Sequence, residues 1–561
     1  IISQSLPPYM VPAAIVPLDT LPLTRIGKVD RKALPRVDFN ELHHQDIVPP
    51  QTTAEIALVG MLAEVLRLNS DQISTGSTFF QLGGNSLTAI RLVAKCQQQG
   101  FVLAMADINR THTIAHLAKR MESHSATAER EPYPTVSGPV RLTPIQREFL
   151  AEGFQWPQAY QSPFVFQCRT VHDCSTWQRV VAQLLSYHDM LRFHLSDEQD
   201  SLSALMGVIE PSLATSRVLA FCEVTSEADL HAVAFEACAK VDYFAGPICQ
   251  FRVVTMQQQQ FFLSVVHHLA FDLVSSTILM DDLVSLLQNK PLPPKTLSYV
   301  AWSDTLYAMA QDLGVSTITL PTPSPPLPLD YPHVPLNRSK EYEAKEILTI
   351  DGELLRRFNA YTQQHTVTAV DLLMTALLLA CNQHFNMPSI TLLFESNGRN
   401  PPDQSCDVSR TLGWCVSHNY LSLTKQPNES LTATLEHTQS ILRGLPVNGF
   451  NLFLAKHLKM LTNASERAQF NVRPEMAFSY SDDQVLETAD SALPIALRYD
   501  LLTPIMSQLV PNAHPYPLVA SCLHAADKLE IYFTYHTNQF NPFTIQRLAL
   551  AMEHAMDTLI L

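Results

Sequence analysis

Residues 265–272 read VVHHLAFD, and this stretch joins two different kinds of local sequence. The apolar run at residues 261–266 favours a buried strand before it, and the amphipathic spacing at 277–287 favours a helix after it. Two histidines and an aspartate at a strand end can suggest a metal site, but no third ligand lies nearby in sequence. We therefore expect no metal here, and a buried core histidine is the competing interpretation.

The composition narrows the class of protein. A chain of 561 residues is too long for one ordinary core and predicts two to four domains. The formal net charge is -15 and there is no Lys/Arg run, which argues against binding nucleic acid or an anionic membrane. No apolar run reaches the ~18 residues of a spanning helix, and no signal-peptide layout opens the sequence. We expect a cytoplasmic protein, cut from a longer chain, whose ten cysteines are reduced.

Upstream of the histidine motif, the chain divides by composition. Residues 1–44 are short, proline-broken pieces, whereas residues 45–122 have the apolar periodicity of helices. In the first of these helices, Thr53 is the expected cap and Ile56 is one of the apolar positions of the 3.6-residue period. Residues 123–138 are polar with two prolines and are predicted to be a linker. Residues 139–561 mix strand-like and helix-like runs, as expected for an α/β domain.

A glycine turn precedes a serine at residues 82–87, which read LGGNSL. The glycines allow a tight turn, and Ser86 then opens a predicted helix, whose N-terminus favours a phosphodiester. An ordinary serine helix cap is the competing interpretation. With Phe79-Phe80 before it, this unit resembles the peptidyl carrier domains of nonribosomal peptide synthetases. The resemblance implies a small four-helix bundle with 4′-phosphopantetheine attached to Ser86 by a phosphopantetheinyl transferase.

Residues 23–34, LTRIGKVDRKAL, resemble the last motif of adenylation domains, and so we assign residues 1–44 as a remnant of one. In that family the lysine that matches Lys28 reaches the ATP phosphates, but a solvated basic hairpin is the alternative here. No glycine-rich phosphate loop is present, so we predict no adenylation activity in this chain. The order of motifs implies upstream adenylation and condensation domains in the same synthetase, and a downstream carrier domain could follow.

The VVHHLAFD stretch resembles the HHxxxDG motif of the condensation superfamily. Residues 142–150 (LTPIQREFL), 187–192 (YHDMLR) and 409–414 (SRTLGW) resemble further motifs of that family. The resemblance implies two chloramphenicol-acetyltransferase-like lobes with an active site in a tunnel between them. The proline-rich stretch before residue 337 predicts an N-lobe at 139–320 and a C-lobe at 337–561.

Carried over from the family, His268 is the catalytic histidine that orients or deprotonates an attacking amine. His267 belongs to the same motif and is expected to be structural. Asp272 is expected to pair with Arg192 as structural support. Leu273 stands where the family has glycine, which we expect to narrow the tunnel or shift the loop and to disfavour a reaction between two carrier-bound substrates.

The second half also resembles epimerisation domains, through PIQ at 144–146, DLVS at 272–275 and ESNGRN at 395–400. An epimerase needs an acid and a base on opposite faces of the α-carbon, and His268 and Glu395 could be that pair. A structural carboxylate at a strand end is the alternative for Glu395. The pattern HxxxDxxS also resembles fungal-type terminal condensation-like domains, which release their product by intramolecular amide formation.

The predicted function is amide-bond formation at His268 on a thioester delivered by the carrier, with cyclising, diketopiperazine-like release favoured. Epimerisation by His268 and Glu395 is the alternative. A docking platform without activity is a second alternative, which the retained residues His267, His268, Asp272 and Arg192 disfavour.

Overall fold

A computed structural model describes most of the chain from residue 47 onward. The predicted adenylation remnant at 1–44 lies outside the described residues, as does most of the predicted linker. The description covers 47–561 apart from 67, 85, 102, 104, 109–111, 126–133, 155, 197–204, 315–317, 319, 366, 400–405, 446–449, 460–469, 471, 483–492, 510–513 and 526.

The first unit is helical because apolar residues at helical spacing meet in one core, which also takes in Ile73 and Phe79 from the connecting loops. Thr52 caps the first helix, where Thr53 was the predicted cap. The Thr52 hydroxyl accepts from the Glu55 N–H at 3.1 Å, and the Glu55 carboxylate accepts from the Thr52 N–H. The helices are α1 (Thr53–Leu66), α2 (Ser86–Gln98), α3 (Met105–Ile108) and α4 (Ile114–Ser125).

The next part of the chain mixes strands and helices, and the histidine motif lies between a strand that ends at His267 and a helix that begins at Leu273. Its elements are β1 (Gly138–Arg141), α5 (Pro144–Ala151), β2 (Gln161–Cys168), α6 (Cys174–Tyr187), β3 (Phe193–Leu195), β4 (Met206–Ile209), β5 (Leu219–Val224), α7 (Glu227–Ala239), β6 (Cys249–Met256), β7 (Gln259–His267), α8 (Leu273–Leu287) and α9 (Tyr299–Asp312).

The remainder has the same mixed character. Its elements are β8 (Glu343–Ile350), α10 (Gly352–Gln364), α11 (Ala369–Phe385), β9 (Ser389–Ser396), β10 (Ser417–Thr424), α12 (Leu431–Arg443), α13 (Phe450–His457), β11 (Met476–Asp482), β12 (Ile495–Leu497), α14 (Tyr499–Leu509), β13 (Leu518–His524), β14 (Leu529–His536) and α15 (Pro542–Leu559).

Two large mixed sheets define two lobes, as the resemblance implied. In the described residues, one sheet has the order β12-β2-β7-β6-β5 and the other β10-β9-β11-β13-β14-β8. The predicted lobe boundary needs one correction, because β12 pairs with β2 in the first sheet. Leu501 and Ile505 of α14 pack into the core beneath that sheet. Residues 495–509 therefore belong to the N-lobe, although they lie far beyond residue 337.

The lobes share a core next to the histidine motif. Buried residues of the N-lobe, such as Leu269 and Phe271, belong to one apolar cluster with Trp414 and Phe453 from the second half of the chain. This shared core brings the end of β7 close to the start of β10, and so it positions the candidate site between the lobes.

Candidate active site

His267 and His268 occupy different environments although they are neighbours. His267 ends β7 and is fully buried. Its Nε2–H donates to the Pro157 carbonyl at 3.0 Å, and its Nδ1 accepts from the Leu269 N–H at 3.1 Å. Burial lowers the pKa of His267 to about 3. The ring is therefore neutral and fixed, with both nitrogens already engaged.

His268 opens a short 3₁₀ turn and packs against two aromatic rings. Its ring centroid is 5.0 Å from that of Tyr160 and 4.6 Å from that of Trp414. Among the described residues, its buried Nδ1 has no hydrogen-bond partner. Burial lowers the pKa of His268, although the charges of Glu395 and Asp272 oppose that shift. A neutral imidazole of this kind can accept a proton near pH 7.

Asp272 pairs with Arg399, and the predicted pair with Arg192 is wrong. Arg399 Nη2 donates to both Asp272 oxygens, at 2.8 and 3.0 Å. Arg192 is instead held in its own turn by Asp189 at 2.8 Å and by the Leu185 carbonyl at 2.9 Å. Because these local acceptors occupy its guanidinium, Arg192 supports the N-lobe fold and does not reach the motif.

The loop that carries Arg399 requires the glycine before it. Gly398 has φ +63°, and a Cβ there would lie 1.8 Å from the Cys415 carbonyl oxygen. The loop can therefore pass close to the chain that leads into β10. This explains physically why Gly-Arg stands at this point of the sequence.

Leu273, which replaces the family's glycine, is the first residue of α8. Asp272 caps this helix by accepting from the Ser275 N–H at 2.7 Å. The Leu273 side chain is 36% exposed. It occupies space beside Val274, which contacts the carrier.

Glu395 lies near the end of β9 in the opposite lobe, directly across the strand pair from His418 on β10. Its side chain is 49% exposed, and its Oε2 lies 3.7 Å from His418 Nε2. Partial burial acts to raise the pKa of Glu395, but His418 and His268 lower it more, so its pKa falls below 4.5. We call the region bounded by His268, Tyr160, Trp414 and Glu395 the interlobe site.

A buried charged cluster behind Glu395 was not predicted from the sequence. The Nδ1 atom of His418 forms a hydrogen bond with the carboxylate of Glu148 on α5. Burial acts to raise the pKa of Glu148, but His418 lowers it to well below 4.5. Burial lowers the pKa of His418, but Glu148 and Glu395 raise it to about 9. The one signal in the sequence is that Glu148 falls on the same helical face as the apolar Ile145.

The carrier helix α2 packs on the helix that follows the histidine motif. Ile90 forms a small apolar cluster with Val274 and Ile278 of α8. Beside it, Arg91 Nη2 lies 3.3 Å from Asp281 Oδ1. Ser86 begins α2, about 6 Å along the helix axis from Ile90. The carrier is therefore docked with the N-terminal end of α2 close to the start of α8.

The turn before Ser86 fits the attachment of a phosphate group. A Cβ on Gly84 would lie 2.3 Å from the Phe79 ring, so the backbone packs directly on that buried ring. This packing fixes the approach to the helix N-terminus, where backbone N–H groups suit a phosphodiester. The structure describes the backbone of Ser86 but not its side chain.

In the described residues, no group of three or more His, Cys, Asp or Glu side chains is arranged to hold a metal ion. No described helix is both long and apolar enough to cross a membrane.

Family models match both parts of the chain. The condensation domain model matches residues 136–561, and the phosphopantetheine attachment site model matches residues 57–121. The chain is 28% identical to chondramide synthase cmdD of Chondromyces crocatus over 98% of its length, but it spans only 14% of that protein. Such a carrier domain bears covalently attached 4′-phosphopantetheine and implies a phosphopantetheinyl transferase and neighbouring synthetase domains.

Solved structures show the same fold at low identity. The epimerization domain from the third module of tyrocidine synthetase B has a TM-score of 0.65 at 22% identity, covering 77% of this chain and 99% of that one. A structure described as the basis for condensation domain-mediated chain release from the enacyloxin polyketide synthase has a TM-score of 0.55 at 14% identity, covering 84% and 95%. The chain thus belongs to the nonribosomal peptide synthetase family and joins a phosphopantetheine-bearing carrier domain to a condensation domain.

Proposed function

We propose that the condensation domain epimerises the residue held by the carrier, with His268 and Glu395 as the proton-transferring pair. One observation carries this proposal: the two side chains belong to opposite lobes, and Glu395 interacts electrostatically with His268 and with Tyr160, whose ring centroid lies 5.0 Å from that of His268. An epimerase needs proton-transferring groups on both faces of the α-carbon. The sequence alone favours cyclising release, whereas this arrangement of side chains favours epimerisation.

Each group has a distinct role in this proposal. 4′-Phosphopantetheine on Ser86 supplies the thioester that makes the α-hydrogen acidic. His268, neutral and enclosed by Tyr160 and Trp414, accepts the α-proton. Glu395 acts at the opposite face. His267 and Asp272 hold the loop, since their polar atoms are committed to neighbouring groups.

The docked carrier supports a reaction that uses a single tethered substrate. The contact of Ile90 with Val274 and Ile278 places the upstream carrier of the same chain on α8. Upstream adenylation and condensation domains would load that carrier, and a downstream carrier domain would take the product onward.

Cyclising release by amide-bond formation is the second candidate. It also needs only one tethered substrate, and the neutral state of His268 suits the deprotonation of an amine. The half-exposed Glu395 could then be a structural or electrostatic group. This candidate predicts that chemistry survives the loss of Glu395.

The test loads Ser86 enzymatically with a dipeptidyl-pantetheine in D₂O, followed by mass spectrometry and chiral chromatography. For an epimerase we expect solvent deuterium at the α-carbon, a mixture of stereoisomers, and loss of inversion in both His268→Ala and Glu395→Gln. His437→Gln is a matched control, because His437 lies 3.8 Å from Glu429 in another part of the C-lobe.

Two results would contradict the proposal. A released cyclic dipeptide that persists in Glu395→Gln but disappears in His268→Ala would establish cyclising release. Unchanged substrate on a fully loaded, docked carrier would favour the inactive docking platform.

A further inference from the structure

His418 on β10 contacts both Glu395 at the interlobe site and the buried Glu148. Its Nε2 lies 3.7 Å from Glu395 Oε2, and its Nδ1 bonds to Glu148 Oε2. The two ring nitrogens therefore face two different carboxylates. One of these carboxylates is half exposed between the lobes, whereas the other is enclosed.

Glu148 is held by further donors, which fix its position. The Tyr420 hydroxyl donates to Glu148 Oε1 at 3.0 Å, and Lys456 Nζ donates to the same oxygen at 3.2 Å. Lys456 also donates to the Tyr420 hydroxyl, at 2.8 Å. With both carboxylates ionised, the charges of His418 and Lys456 balance them. A charge-balanced buried cluster avoids the large cost of an unpaired ion.

We infer that Glu148, His418 and Glu395 form a proton relay in which His418 is the positioning residue that lets Glu395 act as an acid. This inference rests on the proposed epimerase function. Without the relay, the two groups at the interlobe site are both bases, a neutral imidazole and a carboxylate. A proton must then come from elsewhere before Glu395 can donate one.

The proton balance assigns a task to each nitrogen of His418. His268 takes the α-proton, and the electron pair of the broken C–H bond moves into the thioester carbonyl to form an enolate. As the 3.7 Å gap between His418 Nε2 and Glu395 Oε2 closes, His418 passes its Nε2 proton to Glu395, and Glu395 protonates the enolate carbon on the opposite face in the same concerted step. His418 is then neutral, and its remaining proton stays on Nδ1, which donates to Glu148. Solvent afterwards takes the proton from His268 and restores the one on His418.

The surroundings of His418 contain other titratable groups, which a pH experiment must take into account. Burial lowers the pKa of His457, whose Nε2 lies 3.4 Å from Glu148 Oε1. Phe453 packs on the His418 ring with a centroid distance of 5.3 Å and carries no charge. Other groups also interact electrostatically with Glu395, and one of them with Glu148 as well. These groups are His268, His514, Tyr160 and, for both carboxylates, Tyr516.

The first test measures the protonation of His418 in the absence of any reaction. The full chain is labelled with ¹⁵N-histidine, and the His418 signal is identified by its absence in His418→Gln. We expect a titration midpoint near the value of about 9 and a neutral form protonated on Nδ1. Glu148→Gln should lower the midpoint by at least one pH unit, whereas His437→Gln should leave it unchanged. An ordinary midpoint near 6.5, or a neutral form protonated on Nε2, would overturn the relay.

The second test separates proton delivery from general damage. With a loaded carrier in D₂O, His268 can still exchange the α-hydrogen on its own face when delivery from the other face fails. His418→Gln, which keeps a hydrogen-bonding amide, and Glu148→Gln should reduce inversion at least tenfold more than deuterium exchange. Equal losses of inversion and exchange would indicate a merely structural role and refute the relay. If the wild type shows no α-exchange at all, the epimerase proposal fails and the relay with it, whereas the histidine titration by itself decides only whether His418 is held protonated by the two carboxylates.

Discussion

Asp272 and Glu148 are both buried carboxylates from the first half of the chain. Each pairs with a cationic group from the second half, but the surroundings of the two pairs differ. Asp272 accepts from Arg399, from Ser275 and from the Cys415 N–H at 3.0 Å, all of them enclosed. Glu148 meets His418, whose other nitrogen faces the half-exposed Glu395. The contacts of the Asp272–Arg399 pair are thus all buried, whereas the Glu148–His418 pair is connected to the interlobe site through Glu395.

The difference lies in the cation. An arginine stays protonated at all relevant pH values, so the pair with Asp272 can only hold structure. A histidine can gain or lose a proton near physiological pH, so the pair with Glu148 can also respond to chemistry. Two ion pairs of similar burial can therefore have different roles. Two experiments probe that contrast, and two more compare apolar and charged contacts in carrier docking.

Arg399→Met tests the closed pair and has the largest expected effect. It leaves Asp272 buried without its cation, which typically costs about 3–5 kcal/mol in the free energy of unfolding. Urea unfolding of the full chain measures the loss. The double replacement Asp272→Asn with Arg399→Met should regain part of it, because neither charge is then left alone. A loss below about 1 kcal/mol in Arg399→Met would mean that the pair does not hold the lobes together.

The pH dependence of stability tests the open pair. The pKa of His418 is raised from 6.5 to about 9, which corresponds to about 3 kcal/mol. Because the folded-state pKa is the higher one, this stability is complete below pH 6.5 and is lost as the pH rises through about 9. Thermal unfolding between pH 6 and 10 should show this decline in the wild type, and a smaller decline at lower pH in Glu148→Gln, where Glu395 still raises the pKa of His418. A wild-type profile that is flat over this range contradicts the raised pKa.

Ile90→Ala tests whether carrier docking depends on apolar burial and not on charge. Ile90 is buried against Val274 and Ile278, and we expect its truncation to weaken docking by about 2 kcal/mol. Single-turnover conversion of a loaded carrier should slow about tenfold or more. Ile56→Ala on α1 is the matched control, because Ile56 is 59% exposed and lies outside the apolar cluster around Ile90. Equal rates in the two variants would place productive docking elsewhere.

Arg91→Met removes an exposed ion pair and has the smallest expected effect. The side chains of Arg91 and Asp281 are 22% and 38% exposed, and pairs of this kind contribute about 0.2–1 kcal/mol. The change in single-turnover rate should be a few-fold at low salt and vanish in 1 M salt, where screening is strong. A large effect at low salt that is lost in 1 M salt would show that charge, and not Ile90, directs docking.

Much of the fold followed from local patterns. The strand before His267, the helix after Asp272 and the helix at Ser86 lie where the sequence predicted them, because apolar periodicity is a local property. Two assignments within the first helix were wrong. The helical pattern placed Ile56 among the core positions of α1, but its side chain is exposed, and Thr52 rather than Thr53 caps that helix.

The sequence by itself determined the family, the candidate site residues His268 and Glu395, and the serine expected to carry the cofactor. The tertiary structure decided the partners: Arg399 for Asp272, His418 for Glu148, and β12 for the first sheet. These contacts join residues more than a hundred positions apart. Sheet register and the shared core bring them together, and no local spacing encodes either one.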